Sequence, residues 1–177
     1  MTPPATLQRL PATARFLLAH PAHFIALGFG VGLAPWAPGT AATLWAWVAF
    51  VLLQSALTPA ALSWLIAGSL GVGWWACTVT ARNLASMDPD EIVWDEIVTF
   101  WIVLWLLLPA GFWMQLWAFA LFRYFDGVKP GPVGWADRTF KAFGPRGGFG
   151  ILLDDLLAGF LTLLVLAVGR TAGWWLT

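Results

Sequence analysis

The sequence predicts an all-α, polytopic membrane bundle of about five apolar helices, entered through a segment broken by glycine and proline. Three observations carry that reading. Charged residues make up only 10% of the chain against 60% hydrophobic ones, where an ordinary soluble domain carries roughly 25% charged residues. There is too little polar surface here to cover a water-soluble globule. No Asp, Glu, Lys, Arg or His occurs in residues 24–81 or in 97–122, and both runs exceed the roughly 20 apolar residues that cross a bilayer core. Fourteen tryptophans suit the zones where hydrocarbon meets headgroups, with some left to pack between helices.

The elements follow in order. Residues 1–21 read as a basic, partly helical arm at the membrane surface. Pro3, Pro4, Arg9, Pro11 and Arg15 interrupt it before a secretory hydrophobic core can form, so it is expected to stay on the cytosolic side. Residues 22–177 read as one membrane-embedded domain without an internal repeat. Within it, 24–40 is apolar yet cut by Gly28, Gly30, Gly32, Pro35, Pro38 and Gly39, which predicts an irregular entrance buried in protein or lining a polar cavity. Residues 41–57 and 61–83 read as the first two spans, turned by Thr58-Pro59. The hydrophobic stretch 92–126 is divided by Pro109 and Gly111 into a helical hairpin. A polar stretch, 126–146, then leads through Gly147, Gly148 and Gly150 into a last span over 151–169.

Alternating sides from a cytoplasmic N-terminus puts the uncharged turns at Thr58-Pro59 and Pro109 to Gly111 outside, and the segments around Asp88 and Lys129 inside. Eight of the nine Lys and Arg residues then lie inside, with Arg170 outside. The positive-inside tendency accounts for the cations. It does not demand that all nine carboxylates fall on the same face, and they do. Net charge is zero, which leaves no basic footprint for nucleic acid. The single cysteine, Cys77, excludes an intramolecular disulfide and a cysteine-only metal site.

Three clusters can carry chemistry. The first is Asp88-Pro89-Asp90-Glu91-Ile92-Val93-Trp94-Asp95-Glu96, with Glu91 and Asp95 on one helical face. A solvated helix start, favoured by the helix dipole, explains the upstream acids. Asp95 and Glu96 run directly into Ile97-Val98-Thr99-Phe100-Trp101, which places them at or below headgroup level, where ionisable groups are costly and functional. The second is Asp154-Asp155, one turn into the last span. Adjacent carboxylates repel, so a poorly hydrated pair calls for a cation or a shared proton. Such oxygen-rich sites suit magnesium, manganese or calcium. The third interleaves Arg123, Asp126, Lys129, Asp137 and Arg138, with Lys141 and Arg146 nearby. Lys141 and Arg146 read as contacts to anionic lipid, whereas Arg123 and Lys129 at the hairpin mouth can clamp a phosphoryl group. Metal ligands, carboxylates and cations on one side point to phosphate ester chemistry.

Competing motifs fail. Gly28-Phe29-Gly30-Val31-Gly32 lacks the Lys-Ser/Thr ending of a nucleotide loop. Asp88-Pro89-Asp90 follows a helical stretch where an aspartyl-nucleophile phosphatase of the haloacid-dehalogenase type needs a buried strand. His20 and His23 lie in or beside the N-terminal arm without a triad partner.

Several blocks in order resemble the phosphatidylglycerophosphatase A family. They are Gly28-Phe29-Gly30-Val31-Gly32-Leu33 with Ala37-Pro38-Gly39-Thr40, Ile92-Val93-Trp94-Asp95-Glu96, and Phe122-Arg123-Tyr124-Phe125-Asp126-Gly127-Val128-Lys129-Pro130. Trp135-Ala136-Asp137-Arg138 and Gly147-Gly148-Phe149-Gly150-Ile151-Leu152-Leu153-Asp154-Asp155-Leu156-Leu157-Ala158-Gly159 complete them. The chain departs from the family pattern in a longer stretch between Arg138 and Gly147 and in Gly131, where a bulky aromatic is usual.

The resemblance implies a bacterial inner-membrane enzyme, active on the cytoplasmic face, that removes the terminal phosphate of phosphatidylglycerophosphate with magnesium. Asp95, Glu96, Asp154 and Asp155 would supply metal ligands and a general base, joined by Asp126. Arg123, Lys129 and Arg138 would neutralise phosphoryl oxygens, with Gly39-Thr40 as further donors. Both direct attack by water and an aspartyl-phosphate intermediate fit these residues. The alternative of a small divalent-cation channel or carrier would place acids along a path, whereas 41–81 and 156–169 contain none.

Overall fold

The computed structural model of the chain describes residues 10–172, and among these the regular elements are all helices. In chain order they are α1 (Ala14–Leu18), α2 (Pro21–Ala26), a 3-10 segment (Gly28–Leu33), α3 (Pro38–Ala56) and α4 (Pro59–Asn83). Then come α5 (Trp94–Leu106), α6 (Phe112–Val128), α7 (Pro132–Phe140) and α8 (Pro145–Thr171). Five of the eight α-helices start on a proline, whose fixed φ suits the first helical position and whose missing N–H is not needed there. Before α3, α7 and α8 the chain turns through a positive φ, at Ala37 (45°), Gly131 (46°) and Gly144 (84°). At α4 the Thr58 hydroxyl caps the helix by accepting from the Ala61 N–H at 3.3 Å.

The glycine- and proline-broken entrance is irregular, as its composition predicts. Phe29 and Gly30 leave helical geometry inside the 3-10 segment, at φ 60° and 105°, and the chain then runs open to Pro38. A backbone bond from the Val93 N–H to the Ala26 carbonyl, 2.9 Å, ties this entrance to the start of α5. Residues 1–9 of the basic arm lie outside the described residues. The rest of the arm packs down through His23, which stacks on Phe16 at 3.9 Å. His23 Nδ1–H donates to the Phe16 carbonyl at 2.9 Å, and Nε2 accepts from Asn83 at 2.8 Å. Burial, then the neighbouring His20, outweighs the bond to Phe16 and holds the His23 pKa below its ordinary value, which suits this neutral tautomer.

Helix α5 lies at the centre, packed against α3, α4 and α8, while α8 also packs on α6 and α7. Nine of the thirteen α5 residues are buried, so its first turn is not a solvated helix start. Phe50 from α3, Phe100 from α5 and Phe122 from α6 are enclosed. Close approach of α8 to α5 depends on Gly159: a Cβ there would lie 2.8 Å from Thr99 Cγ2 and 3.2 Å from Val103 Cγ2.

Three helices, α3, α4 and α8, are long and apolar enough to cross a membrane. The remaining two of the expected five, α5 and α6, have 13 and 17 residues, short of the roughly 20 that span the hydrocarbon core. The reason is local. Pro109 and Gly111 cut the apolar stretch as expected, but α5 begins only at Trp94 and ends before Leu107, so the break consumes residues from both arms.

Candidate active site

The acidic and basic residues of the sequence clusters meet at one end of the bundle. Helix α5 presents Asp95 and Glu96 in its first turn. Helix α6 brings Arg123 and Asp126 in its last two turns and ends on Lys129 at a left-handed C-cap, φ 49°. Asp137 comes from α7 and Asp154 with Asp155 from the third turn of α8. The relative exposures of Asp95, Asp126, Asp154 and Asp155 are 8, 9, 5 and 2%. These are not surface acids.

Two sets of ion pairs organise the site. Arg123 Nη1 lies 2.9 Å from Glu96 Oε1 and 2.8 Å from Asp126 Oδ2, and 3.5 Å from the Thr43 hydroxyl. Helix α3 can come this close because residue 39 is glycine: a Cβ at Gly39 would collide with the Glu96 carboxylate. Lys129 Nζ donates to Asp154 Oδ2 at 2.5 Å and to Asp137 Oδ1 at 3.0 Å. Lys141 joins at the rim, 3.2 Å from Asp88 and 3.8 Å from Asp137. Burial alone would lower the Lys129 pKa, but Asp154 first and Asp137 with it hold the ammonium above its ordinary value. Burial likewise works to raise the Asp137 pKa, and the bond from Lys129 outweighs it, so that carboxyl sits below its usual range. A narrow opening bordered by Asp88, Asp137, Lys141 and Asp154 leads in from the rim.

The balance of donors and acceptors does not close. Asp95 Oδ1, Glu96 Oε2, Asp154 Oδ1 and Asp155 Oδ2 are buried without a hydrogen-bond partner, and so is the Arg123 Nε–H. An unmet buried polar group costs about 1–3 kcal/mol, and more when charged. Such a cluster is suited to receive ligands of both kinds, a cation for the carboxylate oxygens and an anionic oxygen for the guanidinium. Among the described residues no three His, Cys, Asp or Glu side chains are gathered closely enough to hold a metal ion as they stand. The carboxylates therefore supply unused acceptors, not an assembled coordination sphere.

Of the residues singled out in the sequence, Asp95, Glu96, Arg123, Asp126, Lys129, Asp154 and Asp155 come together. Thr40 is half-buried at the start of α3, and the hydroxyl that reaches Arg123 belongs to Thr43, one turn further on. Arg138 lies on the exposed side of α7. Sequence reasoning missed Thr43 and the role of Asp137 as second anchor of Lys129. The Thr43 signal was its place one turn after Gly39, on the face that glycine opens. Lys141, expected at the lipid surface, is engaged in the rim ion pairs.

Comparison with known proteins gives the chain a family. The family model described as phosphatidylglycerophosphatase A matches residues 24–170. The chain is 36% identical over 156 residues to the phosphatidylglycerophosphatase A of Escherichia coli (strain K12), covering 88% of this chain and 87% of that protein. Its likeness to the Haemophilus influenzae protein of the same name is 38% over 149 residues, 84% of this chain and 88% of the relative. A Bacteroides thetaiotaomicron protein named putative phosphatidylinositol-3-phosphatase is 40% identical over 152 residues, 82% and 91% of the two chains. No solved structure matches.

Proposed function

This chain belongs to the phosphatidylglycerophosphatase A family, and on that premise we propose that its buried acid and cation cluster is a divalent-cation-assisted lipid phosphatase centre. The reaction is hydrolysis of phosphatidylglycerophosphate to phosphatidylglycerol and inorganic phosphate: water adds to phosphorus, the bond from phosphorus to the glycerol oxygen breaks, and that oxygen takes a proton. The observation that carries the assignment to this cluster is the pairing of unmet groups, one buried guanidinium N–H beside four buried carboxylate oxygens. A phosphate monoester with a divalent cation supplies what each lacks.

Magnesium is the proposed cation, and Asp95, Glu96, Asp154 and Asp155 are the side chains with oxygens free to hold it. When bound it would offset phosphoryl charge and lower the pKa of a coordinated water. The chain's own residues do the rest. Arg123, fixed by Glu96 and Asp126, offers its free Nε–H to a phosphoryl oxygen. Lys129 stands between Asp137 and Asp154 as a second positive charge, and a buried carboxylate of the cluster serves as the proton acceptor for the attacking water. We place the site on the cytoplasmic face of a bacterial inner membrane, with α5 and α6 forming a hairpin that completes five membrane-embedded helices. The one-sided carboxylates and the charge-free turns support this sidedness.

The test is phosphate release from purified protein in mixed micelles, given phosphatidylglycerophosphate, phosphatidylinositol 3-phosphate or phosphatidic acid, with magnesium or with a chelator. Release from phosphatidylglycerophosphate that stops with the chelator is expected. Release from none of the three lipids would remove the assignment, and preference for the inositol lipid would align the chain with its Bacteroides relative.

A further inference from the structure

The seam between α3 and α6 begins at the polar site and leads away from it. Facing positions pair off along its length. Thr43 meets Arg123 at the site. One turn on, Trp47 stacks on Phe119 and on Phe112, each at 5.8 Å between ring centroids. The Trp47 Nε1–H donates to Gln115 Oε1 at 2.6 Å, and Gln115 donates in turn to the Ala110 carbonyl at 2.8 Å. The helices meet here through long side chains, not closely packed backbones. Beyond Trp47 they part around an open-sided cavity of about 520 Å³ bordered by Val48, Val51, Leu52 and Phe112.

We propose that this seam seats an acyl chain of the lipid substrate while its phosphate monoester occupies the polar site beside Arg123 and Thr43. The proposal rests on the lipid phosphatase reading above and adds where the rest of the substrate lies. Three observations favour an acyl chain as the occupant. Polarity falls along the seam, from the guanidinium through the Trp47–Gln115 pair to a mostly apolar cavity with Gln54 at its far end, much as it falls from the headgroup of a phospholipid to its chains. The dimensions agree: eight residues from Thr43 to Val51 make about 12 Å of helix at about 1.5 Å per residue, within the roughly 15 Å of half a hydrocarbon core. Access agrees too. Val48 and Leu52 are each 63% exposed, so in a bilayer the seam opens sideways and a chain enters without crossing water. A larger cavity near Pro109, Trp113 and Arg170 has no such link to the site.

Val48→Trp and Val51→Trp fill the cavity from side chains already 63 and 42% exposed, so neither disturbs the packed interior. With dihexadecanoyl phosphatidylglycerophosphate each variant should lose tenfold or more in kcat/KM, and with the dihexanoyl form less than twofold. An independent reading uses the same phospholipid with a diazirine at mid-chain. Photolabel should concentrate on Val48, Val51, Leu52 and Phe112 over the exposed Phe160 and Leu164 of α8, and Val51→Trp should abolish the excess. Even labelling of all exposed apolar residues, equal losses on both chain lengths, or no loss on either would overturn the proposal. Absence of phosphate release by the unaltered protein from both chain lengths would instead strike the phosphatase reading, and the photolabel would still report on the seam.

Discussion

At the scale of single residues, Lys129 and Lys141 are the pair that tests whether catalytic charge and surface charge differ here. Both are lysines near the same rim, yet Lys129 is bonded to the buried Asp154 and to Asp137, while Lys141 is 46% exposed at the side chain in its pair with Asp88. A preorganised charge facing a transition state is worth about 10²–10³ in turnover, whereas an exposed ion pair contributes about 0–1 kcal/mol and is screened by salt. Lys129→Ala is therefore predicted to lower kcat about a hundredfold or more at all ionic strengths. Lys141→Ala should lower it less than about fivefold, and less still in high salt. A salt series of phosphate release by both variants checks this, and equal, equally salt-sensitive losses would reduce Lys129 to part of a basic patch. The carboxylates and these cations were legible in the sequence because charge inside apolar surroundings is conspicuous. Thr43 was not, since a threonine in an apolar helix reads as filler until the neighbouring helix is known to carry Arg123 opposite it.

At the scale of elements, the site depends on how closely α8 approaches α5. Gly159→Leu puts a branched side chain where even a Cβ would press on Thr99 and Val103. Overpacking of this kind costs about 1–3 kcal/mol, and it would spread the helices that carry Asp95 and Asp155. The prediction is a lowered unfolding temperature together with lost turnover. Gly68→Leu, whose added Cβ meets nothing within 4 Å, should leave both unchanged. Matched effects of the two substitutions in thermal scans and activity assays would show that the α5 to α8 approach is not special. The long apolar helices and the proline break at Pro109 were readable from hydropathy. Helix α7 was not, because Gly131, Pro132 and Gly134 read as loop. It forms because Pro132 starts a helix well and because Val133 and Ala136 are buried where α7 packs on α8.

For the whole molecule, one-sidedness is the property that turns a hydrophobic bundle into a candidate enzyme. Cysteines introduced at Asp90 and Gly131 are predicted to react with a membrane-impermeant reagent from the cytoplasm, and those at Pro59 and Ala110 from the other side; opposite sidedness of Asp90 and Gly131 would defeat the arrangement. Class, rough helix order and the gathering of acids were legible because the sequence separates charged from apolar stretches so sharply. What no periodicity could supply was which carboxylates are paired to cations and which keep free oxygens, since that follows from where α3, α6 and α8 meet α5. The central claim is that those free oxygens hold a divalent cation for phosphate release. Its most direct test is a magnesium titration of phosphate release from phosphatidylglycerophosphate by the unaltered protein and by Asp155→Asn, which keeps the shape of a 2% exposed side chain and removes its charge. Asp155→Asn is expected to lose turnover by about two orders of magnitude or more at ordinary magnesium, as for loss of other preorganised charge in a dry site, with partial recovery as magnesium rises. Unchanged turnover and unchanged magnesium dependence in a folded Asp155→Asn protein would contradict it.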